Sequence, residues 1–244
     1  MGSFYADISE AYDDLFPVSA AQRALLESLR EDGVRSVVDA GCGTGAQLLP
    51  FAAGGIACLG FDPDPSLVAV ARRKLAPYPN ARIEEGAFAD LHRLDGPAAD
   101  LLLCLGNSLV HVPPEEAGRF LADAASALAP SGRILLQILN YERIFRDGVT
   151  ELPLVRSGDG SAELRRRYAW EDRRKVSFLT TLRLSTAEGP MIARNEIALY
   201  PLFPEQLWEM AAGAGFGDIR FFGDFARAEF TADSEGLVCL ARKT

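Results

Sequence analysis

The sequence predicts an α/β fold built on a doubly wound, mostly parallel sheet. Short apolar runs alternate with segments of helical spacing up to residue 140, and a glycine-rich turn follows the first run. Parallel strands that are covered by helices on both faces are apolar throughout, and the run Asp100–Leu105 is apolar after its first residue. The 244 residues and 48% hydrophobic content suffice for one core with a modest insertion.

The elements follow one another in the order that such a sheet requires. Residues 8–31 have apolar positions at helical spacing and end at a stop signal, so a helix is predicted there. Further helices are predicted over Leu67–Leu75 and Pro114–Leu128. The predicted strands are Val34–Val38, Ile56–Phe61, Ala81–Glu84, Asp100–Leu105 and Arg133–Leu139.

The pattern changes from about residue 150 to residue 200. Three successive antiparallel strands are predicted there, at Leu164–Trp170, Val176–Leu184 and Ile192–Tyr200. A last group of elements follows, consisting of a helix and two strands at Pro204–Ala214, Ile219–Phe222 and Leu237–Leu240. Because the antiparallel stretch interrupts the α/β alternation, we interpret 150–200 as a lid-like insertion over the carboxyl edge of the sheet, within one domain of residues 1–244.

Charge and composition narrow the classes of partner. The net charge of −9 gives a surface that repels phosphate backbones, so we expect no nucleic-acid substrate. No apolar run approaches the roughly 20 residues that span a bilayer, and the first residues show no signal-peptide pattern. We therefore expect a cytoplasmic protein without a membrane partner, and the sequence allows a homo-oligomer. The cysteines lack metal-ligand spacing, so we expect core positions and no metal site for Cys42, Cys58, Cys104 and Cys239.

A glycine-rich loop, Gly41-Cys42-Gly43-Thr44-Gly45, lies between the first strand and a helix. Glycines let the backbone approach a ligand without a Cβ clash. The motif alone is ambiguous, because Gly41, Gly43 and Ala46 also fit the dinucleotide pattern G-x-G-x-x-G/A. Asp62 lies about 20 positions further on, where an acidic residue suits the ribose hydroxyls of either ligand.

Two features favour a sulfonium ligand over a pyrophosphate. The carboxylate of Asp39, just before the loop, would repel a pyrophosphate, but it suits the sulfonium and ammonium of S-adenosylmethionine. The chain also ends in a helix and two strands, the last reaching Lys243, which suits a sheet closed by an antiparallel hairpin. A dinucleotide-binding half-domain does not usually end in this way.

Several segments carry a family resemblance. Val37–Gly45 resembles motif I of class I S-adenosylmethionine-dependent methyltransferases, and Gly60–Asp64 resembles their second motif. Cys104–His111 is similar to the fourth motif of the glycine N-methyltransferase group, as is the pair Asn140-Tyr141. The inserted strands and Tyr200–Phe203 resemble amino-sugar N-methyltransferases. The resemblance covers nearly the whole chain and implies a Rossmann-like, seven-stranded sheet of order 3-2-1-4-5-7-6 under a substrate lid.

The resemblance implies a cofactor site for S-adenosyl-L-methionine. Gly41, Gly43 and Gly45 would pass beneath the methionyl part, and Asp62 would hold the ribose diol. The other implied contacts are Ala87 and Phe88 beside the adenine, Leu105 and Gly106 at the sulfonium carbon, Tyr12 closing over the methyl donor, and Asp39 and Pro63. The family often has aspartate at the position of Ala87, so the adenine amino group needs another acceptor here.

On the acceptor side the resemblance implies five substrate-binding residues: Asn107, His111, Asn140, Tyr141 and Tyr200. His111, with an ordinary pKa near 6.5, suits a general base, and Tyr12 is the second candidate for handling the proton. Structural roles are the alternatives for these side chains. The glycine-specific enzymes place an arginine before the Asn-Tyr pair, where this chain has Leu139. Glycine is therefore not expected as the acceptor, because a buried carboxylate needs a paired cation.

The sequence favours methylation of a small-molecule amine, with O-methylation close behind. A nicotinamide-dependent oxidoreductase and a non-catalytic S-adenosylmethionine-binding module are the alternatives from other classes. Asp39 and the terminal hairpin count against the first, while Gly106, Asn107 and His111 count against the second.

Two basic clusters, Arg165–Arg167 and Arg173–Lys175, flank one predicted turn of this acidic protein. They could attract an anionic substrate. Exposed strand edges also carry such charges, which block aggregation. We interpret both clusters as solvated edge charges.

Overall fold

The computed structural model describes residues 8–93, 98–170, 172–186 and 189–244; residues 1–7, 94–97, 171 and 187–188 of the predicted single domain lie outside the described part. The strands are β1 (Ser36–Ala40), β2 (Ala57–Asp62), β3 (Ala81–Glu85), β4 (Ala99–Cys104), β5 (Leu128–Leu139), β6 (Val155–Arg156), β7 (Ala162–Ala169), β8 (Val176–Thr186), β9 (Gly189–Leu199), β10 (Phe216–Phe222) and β11 (Gly236–Lys243). The α-helices are α1 (Tyr12–Leu15), α2 (Ala20–Glu31), α3 (Leu49–Ala53), α4 (Pro65–Leu75), α5 (Pro114–Ala127), α6 (Tyr141–Arg146) and α7 (Pro204–Gly213).

Seven strands form a central sheet in the order β3-β2-β1-β4-β5-β11-β10. Neighbours from β3 to β5 are parallel, whereas β11 pairs antiparallel with both β5 and β10. Numbered within this sheet alone, the order is 3-2-1-4-5-7-6. The predicted α/β class, the mostly parallel sheet and the closing hairpin are therefore confirmed.

The middle strands of this sheet are buried on both faces. Leu102 of β4 belongs to the core cluster that contains α5, while Leu101 and Leu103 belong to the cluster that contains α2. All three leucines are fully buried. The continuous apolar run in the sequence therefore reflects helices packed on the two sides of one strand.

Side-chain caps determine where two of the covering helices begin. Oγ of Ser19 accepts the N–H of Gln22 at 3.1 Å at the start of α2. Oδ1 of Asp64 accepts the N–H groups of Ser66 and Leu67, at 2.9 and 3.2 Å, at the start of α4. α4 begins at Pro65, three residues after the end of β2. Asp62, the last residue of β2, therefore lies directly beside the turn that joins β2 to α4.

Several elements differ from the prediction. The single helix expected over residues 8–31 is divided into a 3₁₀ turn (Ser9–Ala11), α1 and α2. Pro17 explains the break, because the residue before a proline is disfavoured in the helical region, and Phe16 has φ −131° and ψ 63°. β5 begins at Leu128 rather than Arg133, and α6 and β6 are absent from the predicted elements.

The residues between α6 and α7 form a second sheet, in the order β6-β7-β8-β9, with every pair antiparallel. Tyr168, Val176 and Leu199 of this sheet are buried in the core cluster that contains α5 and α6. Ile8 and Leu15 of the N-terminal segment pack against β7 and β8. Within the described ranges, no helix has the length and apolar character that a bilayer span requires.

Candidate active site

The glycine-rich loop turns sharply at the carboxyl end of β1. Gly41 has φ 73° and Gly43 has φ 53°, values that favour glycine. A Cβ at Gly41 would lie 3.1 Å from Cβ and Oγ of Ser108, so the loop passes close to the turn after β4. Gly45 differs, because a Cβ there would come within 2.9 Å of Leu75 of α4. Gly45 therefore allows the loop to pack on a helix.

Asp62, at the end of β2, holds this loop from the neighbouring strand. Its Oδ2 accepts the N–H of Gly43 at 2.9 Å, and its Oδ1 accepts the N–H of Asp64 at 2.9 Å. Burial raises the pKa of Asp62, although the two N–H groups favour its charged form. Each carboxylate oxygen has a further lone pair, so Asp62 can still accept hydrogen bonds from ligand hydroxyls.

Asp39 is the penultimate residue of β1 and only 1% exposed. Its Oδ2 has no hydrogen-bond partner among the described residues. Burial, with a smaller contribution from repulsion by Asp62, raises the pKa of Asp39 to about 8. Because a buried charge without a partner is costly, a cation bound near the loop would stabilise the carboxylate.

A cavity of about 270 Å³, here called the loop cavity, opens beside the glycine loop. Several predicted cofactor residues line it, namely Tyr12, Gly41, Gly43, Asp62, Pro63, Ala87, Phe88 and Gly106. The remaining predicted cofactor residues, Asp39, Gly45 and Leu105, lie outside its lining. Asp39 and Leu105 are buried.

The segment after β3 gives the loop cavity an apolar wall. The ring centroid of Phe88 lies 4.5 Å from that of Phe120 in α5, which fixes the position of Phe88. The N–H of Ala87 donates to Oδ2 of Asp90 at 2.9 Å. The family often has an aspartate at the position of Ala87. In this chain the nearby carboxylate is that of Asp90, three residues further along the sequence.

A second cavity of about 350 Å³, here called the inter-sheet cavity, lies between the two sheets. Asn107, Gln137 and Leu139 line it from the central sheet, opposite residues of β7, β8 and β9. Three residues line both cavities: Tyr12, Gly106 and His111. The two cavities therefore meet at these residues.

The segment that carries Tyr12 is fixed to α4 and to the glycine loop. Nζ of Lys74 binds the carboxylate of Asp13 and donates to Oγ1 of Thr44 at 2.9 Å. The Thr44 hydroxyl in turn donates to Asp13. A second ion pair joins the same elements, Arg73–Glu10 at 2.6 Å.

His111 ends the 3₁₀ turn that follows β4. Its Nδ1 lies 3.2 Å from the carbonyl oxygens of both Asn107 and Ser108. Because carbonyl oxygens only accept, we assign the hydrogen to Nδ1, which leaves Nε2 as an acceptor in the neutral ring. The ring is accessible from the cavities, yet protein surrounds it on most sides, and this burial lowers the pKa of His111 below 6.5.

Asn107 lines the inter-sheet cavity, but internal bonds engage its amide group. Nδ2 donates to Oη of Tyr141 at 3.0 Å, and Oδ1 accepts the N–H of Leu139 at 3.0 Å. Tyr141 is 1% exposed and lies outside the cavity lining. These bonds join the turn after β4 to the start of α6.

The structure does not bring Asn140 or Tyr200 into either cavity. Oδ1 of Asn140 caps α6 by accepting the N–H of Arg143 at 3.3 Å, and its Nδ2 donates to the carbonyl of Ser234 at 2.9 Å. The N–H of Tyr200 donates to the carbonyl of Val110 at 2.7 Å. Their observed contacts are with the protein itself.

Comparison with known proteins agrees with this architecture. Residues 37–132 match a family model described as a methyltransferase domain. The chain is 26% identical to the glycine/sarcosine N-methyltransferase of Parasynechococcus marenigrum (strain WH8102) over 230 residues, covering 92% of this chain and 79% of that protein. It is 31% identical to the glycine N-methyltransferase of Mus musculus over 137 residues, covering 51% of this chain and 47% of the mouse protein, about half of that protein's length. The solved structure of the sugar N-methyltransferase KedS8 from Streptoalloteichus sp ATCC 53650 shares the fold, with a TM-score of 0.73 at 21% identity, covering 100% of this chain and 94% of that one.

Together, the matched domain and the relatives support the assignment of this chain as a class I S-adenosylmethionine-dependent methyltransferase.

The site of this methyltransferase fits its cofactor, S-adenosylmethionine. The buried Asp39 has an oxygen without a partner in the described part of the chain, and the cofactor's methionyl end carries a sulfonium and an ammonium. Gly41 and Gly43 line the loop cavity without side chains that would fill it. The predicted family, the enzymatic class and the cofactor are confirmed, which excludes the oxidoreductase and the non-catalytic binding module.

Arg166 of the methyltransferase also lines the inter-sheet cavity and is missing from the predicted site. The interpretation of Arg165–Arg167 as solvated edge charges is wrong for this residue. Arg165 is exposed and ion-paired with Glu163, and Arg167 is exposed and ion-paired with Glu151. Because successive side chains of a strand point to opposite faces, Arg166 points to the other side of β7. The alternation of buried Leu164 and Tyr168 around Arg166 is the sequence signal that identifies its inward face.

The second basic cluster is exposed, as interpreted, but one of its members makes a defined contact. The guanidinium of Arg173 lies 4.5 Å from the ring centroid of Phe203 and 5.3 Å from that of Phe145. Such cation–π contacts are attractive. Arg173 therefore helps to hold the turn between β7 and β8 against the α6 region.

Proposed function

We propose that this methyltransferase transfers a methyl group from S-adenosylmethionine to a nitrogen atom of a small-molecule acceptor. The observation that carries the proposal is the meeting of the two cavities at Tyr12, Gly106 and His111. A donor in the loop cavity and an acceptor in the inter-sheet cavity would bring their reacting atoms together at this junction. An inter-sheet cavity of about 350 Å³ suits a small molecule.

In this proposal the cofactor occupies the loop cavity. Asp62 accepts hydrogen bonds from the ribose hydroxyls, Gly41 and Gly43 pass beneath the methionyl part, and Phe88 borders the adenine. The Asp39 carboxylate balances the positive charge of the methionyl end. When bound, S-adenosylmethionine supplies a methyl group that its sulfonium already activates.

The protein's own residues position the acceptor and handle its proton. Nε2 of His111 accepts a proton from an ammonium acceptor, which frees the nitrogen lone pair for attack. The lowered pKa of His111 keeps the ring neutral at neutral pH, as this role requires. Tyr12 covers the junction from the N-terminal segment and limits the entry of water. Holding the two reactants in line supplies much of the rate enhancement.

Transfer to nitrogen is supported by the relatives, since the proteins from Parasynechococcus and mouse are both named as N-methyltransferases. The similar solved structure carries the same description for a sugar substrate. Cytoplasmic action without a nucleic-acid or membrane partner stays a prediction, based on the net charge of −9 and the sequence pattern. Homo-oligomerisation, which the sequence allows, also stays a prediction.

The test is a screen for methyl acceptors with isotopically labelled S-adenosylmethionine. Purified protein is incubated with panels of amines and of hydroxylated metabolites, and the products are analysed by mass spectrometry and NMR. We expect labelled methyl groups on nitrogen, and a strong loss of labelling when His111 is replaced by asparagine. Label found on oxygen would correct the acceptor atom, and label found only on protein or nucleic acid would contradict the small-molecule proposal.

A further inference from the structure

Arg166 is an inward-facing cation in the wall of the inter-sheet cavity. It lies on β7 between Leu164 and Tyr168, and all three side chains line this cavity. Arg166 pairs with Thr180 of β8 on one side of β7, and on the other side its carbonyl accepts the N–H of Leu152 at 3.0 Å, so it does not lie on a free strand edge. The protection of an exposed strand edge against aggregation therefore does not explain the charge of Arg166.

The protein satisfies this guanidinium only in part. Nη2 of Arg166 donates to the carbonyl of Pro153 at 3.0 Å, and the guanidinium lies 5.7 Å from the ring centroid of Phe16. Its Nε is buried and has no hydrogen-bond partner among the residues that the structure describes. Burial lowers the pKa of Arg166, while Tyr168 nearby has the opposite effect, and an arginine stays charged at any physiological pH.

The rest of the cavity wall offers no counter-charge. None of the described residues that line it is an aspartate or a glutamate. Apart from His111, the other polar lining residues are neutral amides and hydroxyls, among them Gln22, Gln47, Asn107, Gln137 and Thr180. Apolar side chains, including Leu152, Phe178 and Phe225, fill the spaces between them. An uncompensated charge in such surroundings is costly, and an anionic ligand group would remove that cost.

We infer that Arg166 binds an oxyanion of the methyl acceptor, a carboxylate or a phosphate ester, and thereby selects acceptors that combine an anionic group with an apolar body. The inference rests on the proposed function, because it takes the inter-sheet cavity as the acceptor site. A guanidinium can form paired hydrogen bonds with either kind of oxyanion. Leu139 occupies the end of β5, so the second sheet supplies the cation that the central sheet lacks.

The first experiment tests anion binding without methyl transfer. In protein saturated with S-adenosylhomocysteine, the Nε–H signal of Arg166 is followed by NMR, with assignment from its loss in Arg166→Lys. The additions are sodium acetate, inorganic phosphate, neutral acetamide, and sodium chloride at equal ionic strength. We expect a saturable shift with acetate, with phosphate, or with both, and none with acetamide or chloride. The responding anion identifies carboxylate or phosphate as the bound group.

Arg165→Gln is the matched control, since it removes an exposed, ion-paired charge from the same strand. The saturable shift of the Arg166 signal should persist in it. A wild-type protein in which neither acetate nor phosphate moves the signal would overturn the inference. So would a signal that acetamide or chloride moves equally.

The second experiment uses the acceptor found by the screen, together with the derivative in which its anionic group is amidated or esterified. Arg166→Gln should raise KM for the anionic acceptor by about 10- to 100-fold with a smaller change in kcat, and Arg166→Lys should restore part of the loss. Arg165→Gln should behave as wild type. The inference would be overturned if the acceptor found by the screen has no anionic group and Arg166→Gln methylates it as well as the wild-type protein does.

Thermal stability separates a structural role from ligand binding. Because no described residue serves as a counter-ion to Arg166, Arg166→Gln should melt at or above the wild-type temperature. A clear drop in melting temperature with unchanged KM would show a structural residue and overturn the inference. Anion binding at Arg166 in a protein without methyl transfer to any small molecule would instead contradict the proposed function.

Discussion

Oδ2 of Asp62 accepts the backbone N–H of Gly43 at 2.9 Å, which joins the end of β2 to the loop after β1. The same carboxylate lines the loop cavity. Asp62 therefore fixes the shape of the loop and presents oxygens to a ligand. A substitution of Asp62 changes both the shape of the loop and the oxygens offered to a ligand. Its effect on ligand binding therefore needs a control variant of a carboxylate that binds backbone N–H groups but lies outside the loop cavity.

Asp62→Ala should lower the affinity for S-adenosylhomocysteine by about 1–3 kcal/mol, the cost of leaving buried hydrogen-bonding groups without partners. The control is Asp100→Ala. Oδ2 of Asp100 accepts the N–H groups of Arg35 and Ser36, at 2.8 and 3.2 Å, at the opposite end of β1. Calorimetry should show a loss of affinity for the first variant alone, although both should unfold at lower temperature. Equal affinity for wild type and Asp62→Ala would remove Asp62 from the ribose site.

Asp39→Asn should stabilise the ligand-free protein at alkaline pH. The folded-state pKa of about 8 exceeds the unfolded value of 3.8, so the wild-type protein binds an extra proton when folded and loses stability as the pH rises between these values. Relative to wild type, the variant should gain about 1–3 kcal/mol of unfolding free energy between pH 6 and pH 9. Urea unfolding at the two pH values measures the gain, and calorimetry should show weaker binding of S-adenosylmethionine. A pH-independent difference in stability would contradict the raised pKa.

His111→Asn should keep cofactor affinity but lower the single-turnover rate by about 10²–10⁴-fold, as expected for a lost general base. In the wild type the rate should fall as the pH drops through a value below 6.5, because burial lowers the pKa and only the neutral ring accepts a proton. That acid limb should be absent from the variant. His92→Asn is the control, since His92 is the second of the two histidines and lies outside both cavities. A folded His111→Asn protein that turns over at the wild-type rate would end the general-base hypothesis.

Glycine should not be methylated at an appreciable rate. Leu139 provides no cation at the end of β5, and glycine lacks the apolar body that the walls of the inter-sheet cavity favour beside the Arg166 guanidinium. Incorporation of labelled methyl groups into glycine, compared with the best acceptor of the screen, measures this directly. Efficient turnover of glycine would show that Leu139 does not exclude it, and would place this chain functionally beside its glycine-specific relatives.

The cofactor side of the fold was open to prediction because its chemistry is local in sequence. Asp39, Gly41 and Gly43 lie within five residues, and the strand that precedes them is continuously apolar. The order of the central sheet followed from the motifs that carry the family resemblance. By contrast, helix α6 is only six residues long and gives no periodic signal.

The acceptor side depends on contacts between distant segments, which a single sequence does not reveal. Asn140 follows β5 as the resemblance implies, yet its amide group caps α6 and binds the carbonyl of Ser234. Arg166 was obscured for a different reason, since its two arginine neighbours make the segment look uniformly solvated. The signal that distinguishes it is the alternation of Leu164, Arg166 and Tyr168 on one face of β7, which applies only once the segment is known to be a strand.

The N-terminal segment contributes Tyr12 to both cavities, and Ile8 and Phe16 to one of them. Two ion pairs, Lys74–Asp13 and Arg73–Glu10, tie this segment to α4. In the proposed arrangement this segment covers both the donor and the acceptor, so one opening of the segment would release both products of a turnover. Where that opening limits the steady-state rate, moderate salt should speed the enzyme by screening the exposed Arg73–Glu10 pair, while the rate of the chemical step stays unchanged.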